Sequence, residues 1–198
     1  MTTAQTVTPA DTAVARRAMI DSQLRPSGVN AEGVLAAMNR VAREDFVPAA
    51  EAGLAYIDRA LPLGNGRFLA APLFHGLMLE EAKPEATDRT LVVSGGTGYL
   101  AALVQSLVTS LDVVDAAATG DARGPYDLIL IDGAAEQLPD SFGALLTENG
   151  RLVTGVIDRG VTRLATGRRV GEKVALYPLA ETGIPVLSEF AAPKTWKF

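Results

Sequence analysis

The chain has 198 residues, 48% of them hydrophobic and 21% charged, and a formal net charge of −5. One substantial core fits that length, and the acidic balance argues against a bulk nucleic-acid binder, which needs excess positive charge to replace phosphate counterions. With no cysteine and a single histidine, His75, disulfides, thiolate catalysis and Cys-based zinc sites are excluded, and no metal site is expected. The Thr/Ala-rich start, Met1 to Ala10, has neither the basic region nor the apolar block of a secretory signal. No window is apolar enough to cross a bilayer, so a soluble α/β protein in the cytoplasm is the expectation.

Thr8-Pro9-Ala10-Asp11 reads as a helix start, with Thr8 as cap, and the helix is expected to run to about Leu24 before Arg25-Pro26-Ser27-Gly28 stops it. Asn30 is expected to cap a second helix carrying Val34, Leu35, Met38 and Val41 at helical spacing. An extended break at Phe46-Val47-Pro48 precedes a short Ala-rich helix to about Tyr56. Asp58 to Arg67, with Pro62, Gly64 and Gly66, reads as loop, and Pro72 opens a helix to Ala82.

From Arg89 short strands alternate with helices. Thr90-Leu91-Val92-Val93 is a continuous apolar run, as in a strand buried on both faces. A glycine-rich turn, Ser94 to Gly98, then leads into a helix from Tyr99 to Leu107. Strands follow at Leu111 to Asp115, Tyr126 to Asp132 and Arg151 to Val156, with a short helix near Ser141 to Leu146. Val161 to Arg169 and Lys173 to Leu179 suggest an antiparallel hairpin at the sheet edge.

Strand, glycine-rich turn and helix together aim backbone N–H groups at a ligand. Gly96-Thr97-Gly98-Tyr99 looks like the motif I core of S-adenosylmethionine-dependent methyltransferases. Further segments resemble the protein-L-isoaspartate O-methyltransferase family: Met19 to Arg25, Phe46-Val47-Pro48, Ala55 to Asp58, Leu61 to Gly64, Pro125 to Ala134 and Asn149 to Val153. The resemblance implies a Rossmann-like methyltransferase sheet (85–198) under an N-terminal helical subdomain (1–84), the two forming one compact unit. It implies methyl transfer from S-adenosylmethionine to the isoaspartyl carboxylate of a damaged protein or peptide. No membrane or nucleic-acid partner is expected.

Four departures from the family pattern matter. Ala70, in Phe68-Leu69-Ala70-Ala71-Pro72, stands where the family has the serine of its reacting centre, so no catalytic residue is assigned. Val92 replaces an acidic residue, and Ser94 replaces the first glycine of the turn. Finally, only ten residues, Ala116 to Pro125, separate the Asp115 strand from the Tyr126 strand. They can return to the bottom of the sheet, spanning about 33 Å when extended, but are too few for the helix and edge strand that the family places there, since a crossover takes about 10–12 residues with its helix alone. Part of the adenine pocket goes with them, so weakened or absent cofactor binding is one expectation.

Gly95, Gly96, Gly98, Asp115 and Asp132 are the candidate cofactor-binding residues. Asp115 is either a ribose ligand or an ordinary strand-end acid, with Asp112 a poorer alternative. Asp132 lies either at the ligand-binding carboxyl edge of the sheet or in a cap. His75, on the Pro72 helix, either lines the cleft or, the favoured reading, is a partly exposed helix residue without a catalytic role, and Tyr99 reads as packing. Arg163, Arg168, Arg169 and Lys173 read as a solvated face, and Trp196 as a tail anchor. Two functions stand: a protein carboxyl methyltransferase, or a catalytically silent relative (a pseudoenzyme) serving as a binding or regulatory module on the same scaffold.

Overall fold

The structure, a computed structural model, describes residues 8–192; Trp196 lies outside them. Helix α1 (Pro9–Met19) starts with the expected capping box, the Asp11 N–H donating to Thr8 Oγ1 at 3.3 Å and the Thr8 N–H donating to Asp11 at 3.1 Å. The helical path continues to Ser27, but through a π turn (Ile20–Leu24) and a 3₁₀ turn (Arg25–Ser27). Helix α2 (Glu32–Arg40) is not capped by Asn30. Instead the Glu80 carboxylate, from α3 (Pro72–Ala82), accepts the Asn30 and Ala31 N–H groups at 2.9 and 2.8 Å. That places negative charge at the positive end of the α2 dipole.

The segment from Asp58 to Arg67 is not all loop. It contains most of a small antiparallel hairpin, β1 (Leu61–Gly64) and β2 (Arg67–Leu69). Asn65 and Gly66 turn it with φ of 51° and 74°, the left-handed pair that two-residue hairpin turns require. The hairpin aims Arg67 and Ala70 at the main sheet.

Six strands form that sheet: β3 (Arg89–Ser94), β4 (Ser110–Asp115), β5 (Tyr126–Ala135), β6 (Leu146–Asp158), β7 (Val161–Val170) and β8 (Lys173–Glu181). They lie in the order β4-β3-β5-β6-β7-β8. The first four are parallel and the last two form the expected antiparallel edge hairpin. Side chains alternate across β3 and β5. Val92, Leu128 and Leu130 join Met38, Phe74, Met78 and Leu103 on one face, and Leu91, Val93, Ile129 and Ile131 join Phe142, Leu152 and Phe190 on the other. Each such fully buried side chain is worth about 1.5–3 kcal/mol. The first cluster draws on residues from both sides of position 84.

The shortened connection behaves as its length requires. One irregular 3₁₀ stretch (Ala116–Asp121) leads from β4 to β5, and β4 is left as the sheet edge, with Val113 49% exposed. At the other edge the basic residues are paired: Arg163 with Asp158 and Glu181, and Lys173 with Asp140. Arg168 and Arg169 donate to the Asn149 and Leu146 carbonyls. Arg151, from β6, donates to the Ala82 and Lys83 carbonyls and pairs with Asp88 at 2.7 Å, fastening the end of α3 to the sheet.

Candidate functional site

The parallel strands β3 and β4 end side by side, with Ser94 in register with Asp115. Open α/β sheets bind ligands at such carboxyl ends. The turn from Ser94 to Gly98 is tight. A Cβ on Gly95 would lie 2.0 Å from the Asp132 carbonyl oxygen, so this glycine is demanded by the neighbouring strand β5. Gly96 has φ +113°, a conformation that only glycine adopts readily, and lies against the side chain of Arg67. Gly98 adjoins Phe46. The Ser94 hydroxyl turns inward, accepting from the Gly96 N–H at 3.3 Å and donating to the Thr97 carbonyl at 2.7 Å. One turn donor is thereby used internally.

Asp115 stands at the mouth. Its Oδ1 accepts the Ala117 N–H at 2.9 Å and one arm of Arg67 at 3.3 Å. The Ala117 N–H, assisted by Arg67, holds this half-exposed carboxyl below the ordinary aspartate range. Asp112 is occupied elsewhere, with Arg89 and the Tyr126 hydroxyl.

Asp132 caps no helix or turn. Its Oδ1 lies 2.8 Å from His75 Nε2, and His75 is fully buried, contrary to its reading as partly exposed. The other imidazole nitrogen, Nδ1, lies 3.3 Å from Arg43 Nη1. A guanidinium carries only donors, so Nδ1 accepts and Nε2–H donates to Asp132. Arg43 thus selects the tautomer that pins the carboxylate.

Arg43 is itself completely buried. It donates to the Ala55 carbonyl at 2.6 Å and to the Ala70 carbonyl, and lies over the Tyr99 ring, 4.9 Å from its centroid. Burial pulls this guanidinium below its usual range, and Tyr99 and Asp132 oppose the shift. Tyr99 packs edge-on against Phe46 and His75. Sequence reasoning missed Arg43 because an Arg-Glu-Asp run reads as surface. Its one outward sign is the flanking Val41 and Phe46, which pack against the core.

The C-terminal segment closes the cleft from the other side. Pro185 and Leu187 pair with Ala134 at the end of β5, and the Phe190 carbonyl accepts the Glu136 and Gln137 N–H groups. Glu189 is thereby held opposite Asp115, and Arg67 bridges the two, 3.1 Å from Glu189. The cavity lined by Arg67, Ala70, Gly95, Asp132 and Glu189 is only about 10 Å³. Beside it, a groove of about 520 Å³ runs between Arg59, Phe68 and Ala71 on one wall and Thr182 to Val186 on the other.

A nucleoside-bearing cofactor suits part of this arrangement. Gly96 leaves its approach free of any Cβ, and Asp115 offers a strand-end carboxylate in register with the turn. Val92 is buried in the core and contributes no charge. Ala70 presents a methyl group and a carbonyl already bound by Arg43.

The family model for protein-L-isoaspartate(D-aspartate) O-methyltransferase (PCMT) matches residues 15–117. Among curated relatives, the protein-L-isoaspartate O-methyltransferase of Roseiflexus castenholzii is 34% identical, the alignment covering 84% of this chain and 88% of the relative. That of Methanoculleus marisnigri is 30% identical, covering 88% and 92%. Among solved structures, a Plasmodium falciparum chain assigned to the same methyltransferases, in complex with S-adenosyl-L-homocysteine, superposes with a TM-score of 0.71. It shares 17% identity, and the superposition covers 88% of this chain and 98% of that one. Matched over just over half its residues and 30% or more identical to relatives that it covers almost in full, the chain belongs to the protein-L-isoaspartate O-methyltransferase family.

Proposed function

We propose that this protein binds S-adenosylmethionine at the Gly95–Gly98 turn and transfers its methyl group to a protein carboxylate, the free carboxylate of an isoaspartyl residue being the first candidate. The observation that carries the reading is the register of Ser94 with Asp115, which sets a bare glycine turn beside a strand-end carboxylate. In the relatives' names the same acceptor recurs, and the Plasmodium falciparum structure holds the demethylated cofactor. The cofactor supplies an activated methyl on a sulfonium. The chain's own task is positioning, because a carboxylate, ordinarily titrating near pH ~3.9, is ionised at neutral pH and needs no base.

In this reading Gly95, Gly96 and Gly98 form the backbone cradle and Asp115 receives the ribose. Asp132, pinned by His75, sets a fixed negative charge at the floor of the cleft. That charge favours binding of a cationic donor and does not favour the transfer, in which the positive charge disappears. The groove beside Phe68 is the open approach for a peptide. Without a serine hydroxyl at Ala70, alignment of the acceptor rests on backbone groups.

Ala70 and the bridging Arg67 favour a second reading, a catalytically silent relative that uses the scaffold to bind a partner. Titration calorimetry with S-adenosylhomocysteine, followed by methyl-ester formation on an isoaspartyl peptide, separates the two. Micromolar binding with turnover supports the enzyme. Binding without turnover supports the silent relative, and no heat at millimolar ligand refutes the cofactor site.

A further inference from the structure

We infer that Arg67 is a latch on the cofactor cleft: in the closed arrangement it occupies the space above the glycine turn, and cofactor binding exchanges it for the ribose at Asp115. The latch presupposes the cofactor site proposed for this cleft. Three observations place it. The Arg67 side chain lies directly on Gly96, where a Cβ would meet its Cδ at 2.8 Å and its Cγ at 3.1 Å. Its Nη2 reaches Asp115 at 3.3 Å and Glu189 at 3.1 Å, tying β4 to the C-terminal segment across the cleft. The cavity left beneath it is about 10 Å³, room for no more than a single water.

The latch is built to let go. Its Nη1 is buried with no hydrogen-bond partner among the described residues, which makes the closed position costly to hold. Arg67 retains 29% side-chain exposure and Asp115 47%, so the Asp115 arm is screened by solvent and weak. The Glu189 arm is the better covered of the two. Arg67 can therefore release Asp115 while staying on Glu189, and the Asn65–Gly66 turn just before it gives a short lever on which to swing. Ligand affinity is then reduced by the fraction of time the latch is shut.

The test is calorimetric titration of the full chain with S-adenosylhomocysteine, comparing the native protein with Arg67→Ala and Arg67→Gln, with thermal melting to confirm that the variants fold. Opening breaks one solvent-screened ion pair, the Asp115 arm, which corresponds to about a two- to fivefold effect, so both variants bind that much more tightly. Raising salt from about 0.01 M to about 1 M shrinks the Debye length from about 30 to about 3 Å. This tightens native binding about two- to threefold and leaves the variants unchanged. Glu189→Gln shifts affinity in the same direction by a smaller factor. Unchanged or weaker binding by folded Arg67 variants, with a measurable native affinity, overturns the latch alone. No heat from any of the proteins overturns the cofactor reading and the latch with it.

Discussion

Replacing Arg43 by methionine tests the buried centre of this site most severely. The substitution keeps length and apolar bulk but removes every donor. Three acceptors lose their partner at once: the Ala55 carbonyl, the Ala70 carbonyl and His75 Nδ1. Asp132 loses the buried positive charge that opposes its own. Breaking a buried charged network from one side costs about 3–5 kcal/mol, since the groups left behind stay desolvated and unpaired. Against a total stability of about 5–15 kcal/mol for a domain, that is a large share. For a chain of this size it lowers the melting temperature by about 6–20 °C. Urea unfolding followed by circular dichroism reads the loss directly. Asp132→Asn removes the stranded charge, so the Arg43→Met/Asp132→Asn double variant loses less than the sum of the singles. A loss below about 1 kcal/mol for Arg43→Met, or strict additivity in the double variant, would refute the network described here.

Three further outcomes follow from individual contacts. Tyr56 is pushed up to about 12 by burial and by its hydrogen bond to Glu44; a group with a raised pKa stabilises the fold fully below its unfolded value near 10 and loses that contribution as pH rises to 12. About 2–3 kcal/mol is therefore lost between pH 10 and 12, and Tyr56→Phe removes that alkaline step from the stability profile. Glu80→Ala strips the N–H groups of Asn30 and Ala31 of their shared acceptor and costs about 0.5–2 kcal/mol in chemical denaturation. Ala70→Ser introduces a hydroxyl at the position where the sequence resemblance places the serine of the reacting centre. Under the proposed function it raises kcat/KM for an isoaspartyl peptide about tenfold or more, equivalent to one hydrogen bond of about 1.4 kcal/mol made in the transition state, and leaves the S-adenosylhomocysteine affinity unchanged.

The sheet was legible because its strands announce themselves. Thr90 to Val93 and Tyr126 to Ile131 are apolar runs too short for helices and rich in β-branched residues, and both lie where those runs put them. The bare edge at β4 was legible by arithmetic, since ten residues cannot hold a helix and a strand. The β1–β2 hairpin was not, because Pro62, Gly64 and Gly66 read as breakers, and only the paired positive φ of Asn65 and Gly66 turns them into a hairpin. His75 was misread for a different reason. Helix α3 is apolar nearly all round, and such a helix is buried on every face; that pattern was the available sign that its histidine is buried too.

Arg43 and Arg67 show why a residue type read from sequence does not settle a role. Both side chains border the cleft, Arg43 donating to the Ala70 carbonyl and Arg67 laying its aliphatic stem across Gly96. Arg43 is sealed from water, and its donors meet two carbonyls and an imidazole whose second nitrogen holds Asp132. Releasing it would strand groups that have no solvent to turn to, so it belongs to the frame. Arg67 keeps part of its surface in water, shares one nitrogen between two screened carboxylates and leaves another unpartnered. Releasing Asp115 costs little, because water can take over that screened pair while the Glu189 arm stays in place. Burial, more than charge, therefore divides the fixed half of the site from the exchangeable half, and it places the exchangeable half over the glycine turn where a ligand would enter.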